Sequence, residues 1–397
     1  MNWFKSLFRV WRRELYLCVT DFGVLLFFIA LPLFYPPVYT LIYGPEVVKN
    51  IDAVVVDNSR TAESRELVRA LDATQGINII GYVPNLGDAK EAMHRKDCYA
   101  VFEIPRDYAR TIGNGGQAVV TLYQDMSLMI RYRQILFSLT DVQMHEAQQV
   151  TARRIADRLG GFSTVISGLP VNTEGVSIGN PAQGFASFLM IGIFVLILHQ
   201  AMLLGICMVA GTRRDRRRRL GLGYDPLEIH EADPVATVLG RSFAYLSIYL
   251  PMVVLVIAIV PRIFSLPQYG NFVDIFCFIS VMLLAVTFFG QVVQLMVRER
   301  ESSMILVVFT SAIFLFVSGI TWPRYAFNPF WKALSDLIPS TWGVEGFVNI
   351  NSNGAGIHAV SQAYTSLWIL CAVYFVLAVL INHFTRPRLP VADPRKA

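Results

Sequence analysis

Charge is scarce in this chain. Asp, Glu, Lys and Arg make up 16% of its 397 residues, against about 25% in a soluble domain. The shortage falls in long apolar stretches. With 54% hydrophobic residues and a mean hydropathy of +0.48, it argues for a membrane protein rather than a water-soluble globule. Cysteine is equally uninformative as a framework: Cys18, Cys98, Cys207, Cys277 and Cys371 contain no C-x-x-C pair, so neither a disulfide scaffold nor a zinc site follows. Cys98 reads as a small buried hydrophobe. No Gly-Lys dipeptide occurs, so a Walker A loop cannot be built and ATP cannot be hydrolysed by that route. H-E-x-x-H, G-x-S-x-G and metal-like His/Cys spacings are absent too, leaving no catalytic residue and no metal ligand to nominate.

What is present is apolar length. Six stretches reach the ~20 residues needed to cross a hydrocarbon core: Phe22–Tyr43, Gly184–Ala210, Leu239–Val260, Phe272–Val297, Met304–Trp322 and Tyr364–Phe384. The first is too long for a signal-peptide core and has no small-residue cleavage site behind it. Basic residues cluster before the first span (Lys5, Arg9, Arg12, Arg13), between the second and third (Arg213, Arg214, Arg216 through Arg219), between the fourth and fifth (Arg298, Arg300), and after the sixth (Arg386, Arg388, Arg395, Lys396). With six crossings, all four clusters fall on one side. The positive-inside rule then puts both termini in the cytoplasm.

Residues 45–182 are polar and mixed in charge, long enough for a separate domain outside the membrane. Ile51–Val56 reads as a buried strand and Asp57-Asn58-Ser59 as a turn or helix N-cap. Ala62–Leu71 reads as a helix, Ile77–Val83, Tyr99–Ile104 and Ala118–Tyr123 as strands, and Leu86–Lys96 and Ile130–Leu159 as further helices. The alternation predicts an α/β domain. The expected organisation is therefore an α-helical polytopic membrane protein with six transmembrane helices and an inserted extracytoplasmic α/β domain. Residues 1–20 form an interfacial helix, 21–44 the first span, 183–385 the remaining five spans and 386–397 a cytoplasmic tail. A cytoplasmic loop covers 211–238, and an outer re-entrant segment covers 322–345.

On a helical wheel, Trp3, Phe4, Leu7, Phe8, Trp11 and Leu15 share one face of the first helix, and Lys5, Arg9, Arg12 and Arg13 the other. An aromatic face opposite a cationic one describes a helix lying in the membrane interface. Glu14 breaks the apolar face, and is either incidental to an anchor or offered to a cytoplasmic partner. The run Arg213–Arg219 sets topology, binds anionic lipid or docks a protein. Lacking interleaved aromatics and sitting beside a span, it does not suggest nucleic acid. Within the spans, His199 and Gln200 are candidates to line a substrate pathway, with Gln291, Gln294 and Asp274 as weaker ones. A neutral histidine there can also simply hydrogen-bond to a neighbouring helix.

The order of these parts resembles the permeases of type 2 ABC transporters. The entry segment from Arg12 to Gly44 is similar to that family's, with Arg12, Arg13 and Glu14 as a basic-acidic pair and Asp21 as the second acidic position. Ile104, Pro105 and Tyr108 resemble its I-P-x-x-[FY] segment. Ser318, Gly319, Pro323, Pro339, Ser340 and Thr341 resemble its S-G-[IF]-x-[FW]-P…[IL]-P-x-[ST] signature near the last span. After Gly211-Thr212 the sequence departs from the family, running into arginines without the usual acidic residue, and Gly240-Arg241 stands where Gly-Lys is usual.

The resemblance implies a dimeric membrane subunit, of two copies or two related permeases, each bound to a cytoplasmic ATPase that carries ATP and Mg; this chain is expected to bind no cofactor itself. It implies ATPase coupling through Glu14, Arg12, Arg13, Asp21, Arg213, Arg214 and Arg216, and short re-entrant helices after the fifth span; the polar residues at membrane depth, His199, Gln200, Gln291, Gln294 and Ser318, are the candidates for its substrate pathway. The function expected is export of a hydrophobic or amphipathic substrate from a bacterial cytoplasmic (inner) membrane, in contact with membrane lipid and with a periplasmic adaptor as a further candidate partner. The alternative is a non-transporting scaffold whose outer domain recruits envelope proteins.

Overall fold

The computed structural model describes residues 3–158, 179–181, 184–222, 224–229 and 232–385. The expected tail, 386–397, and the last part of the inserted domain lie outside them. The chain divides into two compact units, Met1–Glu46 with Ser177–Ala397, and Val47–Val176.

Two helices open the chain, α1 (Trp3–Thr20) and α2 (Phe22–Ile42), separated by the non-helical Asp21. α2 is the first of six helices long and apolar enough to cross a membrane. Pro32 has no N–H to give to the carbonyl of Phe28, and the helix widens there into a π-helical turn over Leu26–Ala30.

The second unit holds the strands β1 (Ile51–Asp57), β2 (Ile77–Tyr82), β3 (Ala100–Ile104) and β4 (Thr121–Gln124) and the helices α3 (Ala62–Asp72), α4 (Leu86–His94), α5 (Tyr108–Gly113) and α6 (Met129–Arg158). The strand order is β2-β1-β3-β4, with β1 parallel to both neighbours and β4 antiparallel to β3. Ala53 and Val55 of β1 are buried on one face among Leu67, Leu71, Ile135 and Leu139, while Val54 and Val56 are buried on the other with Ala89 and Ala92. A central strand covered on both faces must be apolar throughout, so it reads as a run rather than an alternation. Cys98 is fully buried in the second face, as expected. The cap of α3 falls later than Asp57–Ser59. Thr61 accepts from the Ser64 N–H at 3.2 Å, and the Ser64 hydroxyl accepts from the Thr61 N–H at 3.0 Å. Asp57 closes the preceding turn, accepting from the N–H groups of Ser59 at 3.0 Å and Arg60 at 2.9 Å.

The membrane unit continues with α7 (Phe185–Leu220), α8 (Pro234–Ile263), α9 (Phe272–Met296), α10 (Arg300–Val317), the short α11 (Pro329–Asp336) and α12 (Pro339–Asn353), and α13 (Ser361–Phe384). α7 is its axis: 89% of the apolar window of α7 is buried, against 22% for α2 and α10 and 28% for α13.

Two boundaries differ from the expectation. α7 does not stop at Ala210 but continues through the arginines to Leu220, where Gly221 ends it at φ +65°. Arginine is a good helix former, and cations are favourable at a helix C-terminus, so the backbone stays helical where the hydropathy stops. Most of the expected loop at 211–238 is therefore helix, leaving only residues 221–233 between α7 and α8. Likewise α10 ends at Val317 rather than Trp322, because Gly319 at φ +90° turns the chain.

α8 has its own π-helical turn at Val254–Ile259. Pro261 leaves the Ile257 carbonyl without its helical donor, and Gln268 Nε2 donates to it at 2.5 Å. Successive spans alternate in direction. The end of α1 and the starts of α2, α8 and α10 thus meet the ends of α7, α9 and α13 at one end of the bundle, the basic end. The segment expected at 322–345 forms α11 and the start of α12 at the other end.

Candidate functional site

Two faces of α1 have different roles. Phe4 and Phe8 of its aromatic face are exposed, while a stripe four residues apart, Ser6, Val10, Glu14 and Cys18, is buried. Glu14 therefore does not interrupt the apolar face; it belongs to the protein-facing stripe. Gly240 of α8 makes this approach possible, since a Cβ there would meet Val10 and the Leu7 carbonyl.

Glu14 is 3% exposed and is reached from two spans. Arg213 of α7 and the Tyr245 hydroxyl of α8 donate to its two carboxylate oxygens, and Arg241 Nε lies 3.9 Å away. Arg241 also pairs with Glu228, which takes a second hydrogen bond from Arg217 at 2.7 Å. Burial pushes the Glu228 carboxyl up, but Arg241, Arg213 and Arg217 outweigh it and hold the group down at about 2. Arg216 donates to Asp225 at 2.9 Å and 3.2 Å, and Arg13 Nε donates to the Leu227 carbonyl at 2.9 Å. The connection at 221–233 is thereby folded back on the helix that precedes it and fastened to α1.

Asp21 does similar work next to it. It caps α2 by accepting from the N–H groups of Gly23 at 3.0 Å and Val24 at 3.3 Å. The same carboxylate accepts from Arg300 of α10 at 2.6 Å and from the Thr212 hydroxyl of α7 at 3.2 Å. The Arg300 N–H donates to Asp215 at 3.0 Å, a contact that needs Gly211, where a Cβ would strike the Arg300 backbone. Arg214 donates to the Gln294 carbonyl at 2.6 Å and to that of Val297.

Six of the seven residues expected to couple to a motor thus make polar contacts at the basic end, in neighbouring groups: Glu14 with Arg213, Asp21 with Arg300, Arg216 with Asp225, and Arg13 and Arg214 with backbone carbonyls. Arg12 is exposed and stands outside these groups. Sequence reasoning missed Glu228, Asp225, Tyr245 and Arg300, and treated Arg241 only as a departure from Gly-Lys. A lone cation in the first turns of an apolar span was the available signal for Arg241.

The pathway candidates do not converge. His199 is fully buried between the rings of Phe314 and Phe289, with centroids 5.3 Å and 5.9 Å away, and neither nitrogen has a hydrogen-bond partner. The interhelical hydrogen bond open to a neutral histidine is not made. The Gln200 amide is buried without a partner as well. Gln291 donates to the Ser242 hydroxyl at 2.8 Å, and Gln294 donates to the Gln291 carbonyl at 2.9 Å, so these two pack against α8 and each other. Asp274 lies in the first turn of α9. Ser318 donates back to the Leu315 carbonyl at 2.7 Å in its own helix.

At the end opposite the basic network, Ser318 and Gly319 line a cavity of about 370 Å³ with Phe188, Ile320, Val344 and Val348. Arg324 borders it, paired to Glu345 and Asp336 and stacked 4.1 Å above the Trp342 ring. Pro323 precedes the short turn that carries Arg324, and Pro339 opens α12. The hydroxyls of Ser340 and Thr341 are buried without partners.

Six helices long and apolar enough to cross a membrane, with ion pairs holding their ends together at the basic end, make this a polytopic membrane protein. The chain belongs to the ABC-2 family transporter proteins, whose family model matches residues 22–380. It is accordingly a permease of the ABC system rather than its ATPase, and membership implies an ATPase partner. α1 and Asp21 precede the matched residues, so the geometry of Glu14 and Asp21 comes from the structure alone. Comparison with curated proteins finds none that matches the chain.

Proposed function

We propose that the chain is the permease half of an exporter in a bacterial cytoplasmic membrane. It would work as a dimer, move a hydrophobic or amphipathic substrate outward, and respond to ATP binding on separate motor subunits. In this reading the basic end faces the cytoplasm, in accord with the positive-inside rule, and the α/β unit lies outside, where it is available to an adaptor.

The observation that carries the reading is the buried pair of Glu14 and Arg213. A buried carboxylate and guanidinium hold their elements together strongly, because separating them leaves charge unpaired in a poor solvent. Through Arg213, Arg241 and Tyr245, α1 is tied to α7 and α8; through Asp21 and Arg300, α2 is tied to α10. A push on α1 or on the 221–233 connection would therefore reach four spans together. Such a push shifts the permease only if nucleotide binds the motor differently in the two arrangements.

The test is reconstitution of the chain with its partner ATPase in vesicles, following ATP-dependent movement of fluorescent amphiphiles. Transport that is lost in Glu14→Ala while ATPase docking persists supports coupling through the network. Absence of ATP-dependent movement with every candidate amphiphile, despite a bound and active ATPase, would return the chain to the scaffold reading.

A further inference from the structure

A second feature of the basic end is not used by the coupling argument. Behind the ion pairs lies a cavity of about 260 Å³, bordered by Arg213, Arg214, Arg217, Arg241 and, as the one carboxylate among the described residues, Glu228. Four arginines line it. Each guanidinium carries five N–H donors, more than the described acceptors around them take up. Glu228 takes Arg217 and Arg241, Glu14 takes Arg213, and Arg214 has only two backbone carbonyls. The side chain of Arg213 is 7% exposed and its Nε has no partner; the Nε of Arg217 has none either. Among the described charges, the four arginines face two carboxylates, a local excess of cation in a partly enclosed site. Nothing in the coupling role requires that excess, since two arginines would neutralise Glu14 and Glu228.

Leu295 and Ile381, near the ends of α9 and α13, form an apolar part of the wall, and Leu295 is 44% exposed. An apolar edge beside a cluster of unfilled donors suits a group whose head is anionic and whose tail is not. Guanidinium groups match phosphate oxygens in pairs, whereas one carboxylate offers too few oxygens to meet four arginines. The volume admits a head group and excludes a helix.

The geometry points to a binding site for one phosphate-bearing anion in this cavity, held by Arg213, Arg214, Arg217 and Arg241, with an anionic lipid head group or a free phosphate as its source. The site does not depend on the direction of transport, and its test reads binding alone.

The full chain, purified in mild detergent and stripped of lipid, is titrated in native mass spectrometry with dioleoyl phosphatidylglycerol, dioleoyl phosphatidylcholine or sodium phosphate. One phosphatidylglycerol per chain is expected to bind about ten-fold or more tightly than phosphatidylcholine, whose choline the arginines repel. Arg214→Gln and Arg217→Gln are each expected to weaken it about ten-fold, as for loss of a charge-assisted hydrogen bond. Thr385→Glu, which adds a carboxylate at an exposed position on the rim, should do the same without disturbing the interior. Arg218→Gln, on the exposed side of the same run, should change nothing. Displacement of the lipid by millimolar phosphate would assign the site to a free anion, and retention against it would assign the lipid. Equal binding of the two lipids by the unaltered chain overturns the proposal, as does binding unmoved by Thr385→Glu.

Discussion

The two ends of the membrane unit are held in different ways. At the basic end, charged side chains from α1, Asp21, α7, α8, α10 and the 221–233 connection meet in pairs, Glu14–Arg213 being buried on both sides and the others partly. At the other end a single arginine, Arg324, joins two carboxylates that are 39% and 40% exposed, and the rest is carried by apolar packing and helix termini. The difference is one of commitment. Buried pairs between different helices resist separation, because either partner left alone keeps its desolvation cost. Half-exposed pairs can exchange their partner for water at little cost. The basic end is thus the more tightly tied of the two.

That comparison can be broken most directly at Glu14. Glu14→Ala strands Arg213 in the interior, and the expected loss is about 3–5 kcal/mol, read as a large fall in the thermal midpoint in detergent. Removing both partners sharpens the point. Glu14→Ala with Arg213→Ala should recover about 2 kcal/mol of that loss, and a double mutant no more stable than the single one would mean that the pair is not coupled.

Next comes Glu228→Gln, expected to cost about 2 kcal/mol at neutral pH as two charge-assisted hydrogen bonds weaken. Its pH dependence has a definite sign. The Glu228 carboxyl sits at about 2 in the folded chain, below the ~4.3 of an unperturbed glutamate. Its contribution is therefore complete above about pH 4.3 and is lost as the pH falls toward 2. The variant should lack that part of the acid transition, measured by unfolding at a series of pH values.

At the opposite end, Arg324→Ala should cost only about 1 kcal/mol, from half-exposed pairs and the contact with Trp342. A loss equal to that of Glu14→Ala would erase the distinction between the ends. Smallest of all, Arg218→Gln breaks a pair whose members are 57% and 52% exposed, and its unfolding free energy should stay within about 0.5 kcal/mol of the parent.

Much of this was legible in the sequence, for a physical reason. A hydrocarbon core imposes a length, so all six spans stand out as apolar runs, and a strand buried on both faces stands out as Ile51–Val56. Hydropathy reports the solvent around a segment, however, and not where its hydrogen bonds end. It therefore placed the end of α7 at Ala210, although the arginines continue the helix. The acidic residues at the start, Glu14 and Asp21, were recognisable, and so was Arg213, which meets Glu14; Arg300, which meets Asp21, was not. Glu228 was not, because its role depends on the 221–233 connection folding back on α7, and no local spacing encodes that return. The buried stripe of α1 was obscured for a similar reason: aromatic residues dominate a helical wheel, yet the protein-facing positions are Ser6, Val10 and Glu14. His199 was picked out by its charge-bearing chemistry, whereas its neighbours Phe289 and Phe314 make its surroundings apolar.

The length of α7 has a mechanical consequence. Its 36 residues form one unbroken rod, ~54 Å at 1.5 Å per residue, well beyond the ~30 Å of a hydrocarbon core. Its arginine end is held by Glu14, Asp225 and Glu228, and its other end, at Phe188 and Gly192, borders the opposite cavity. One continuous helix therefore joins the two cavities.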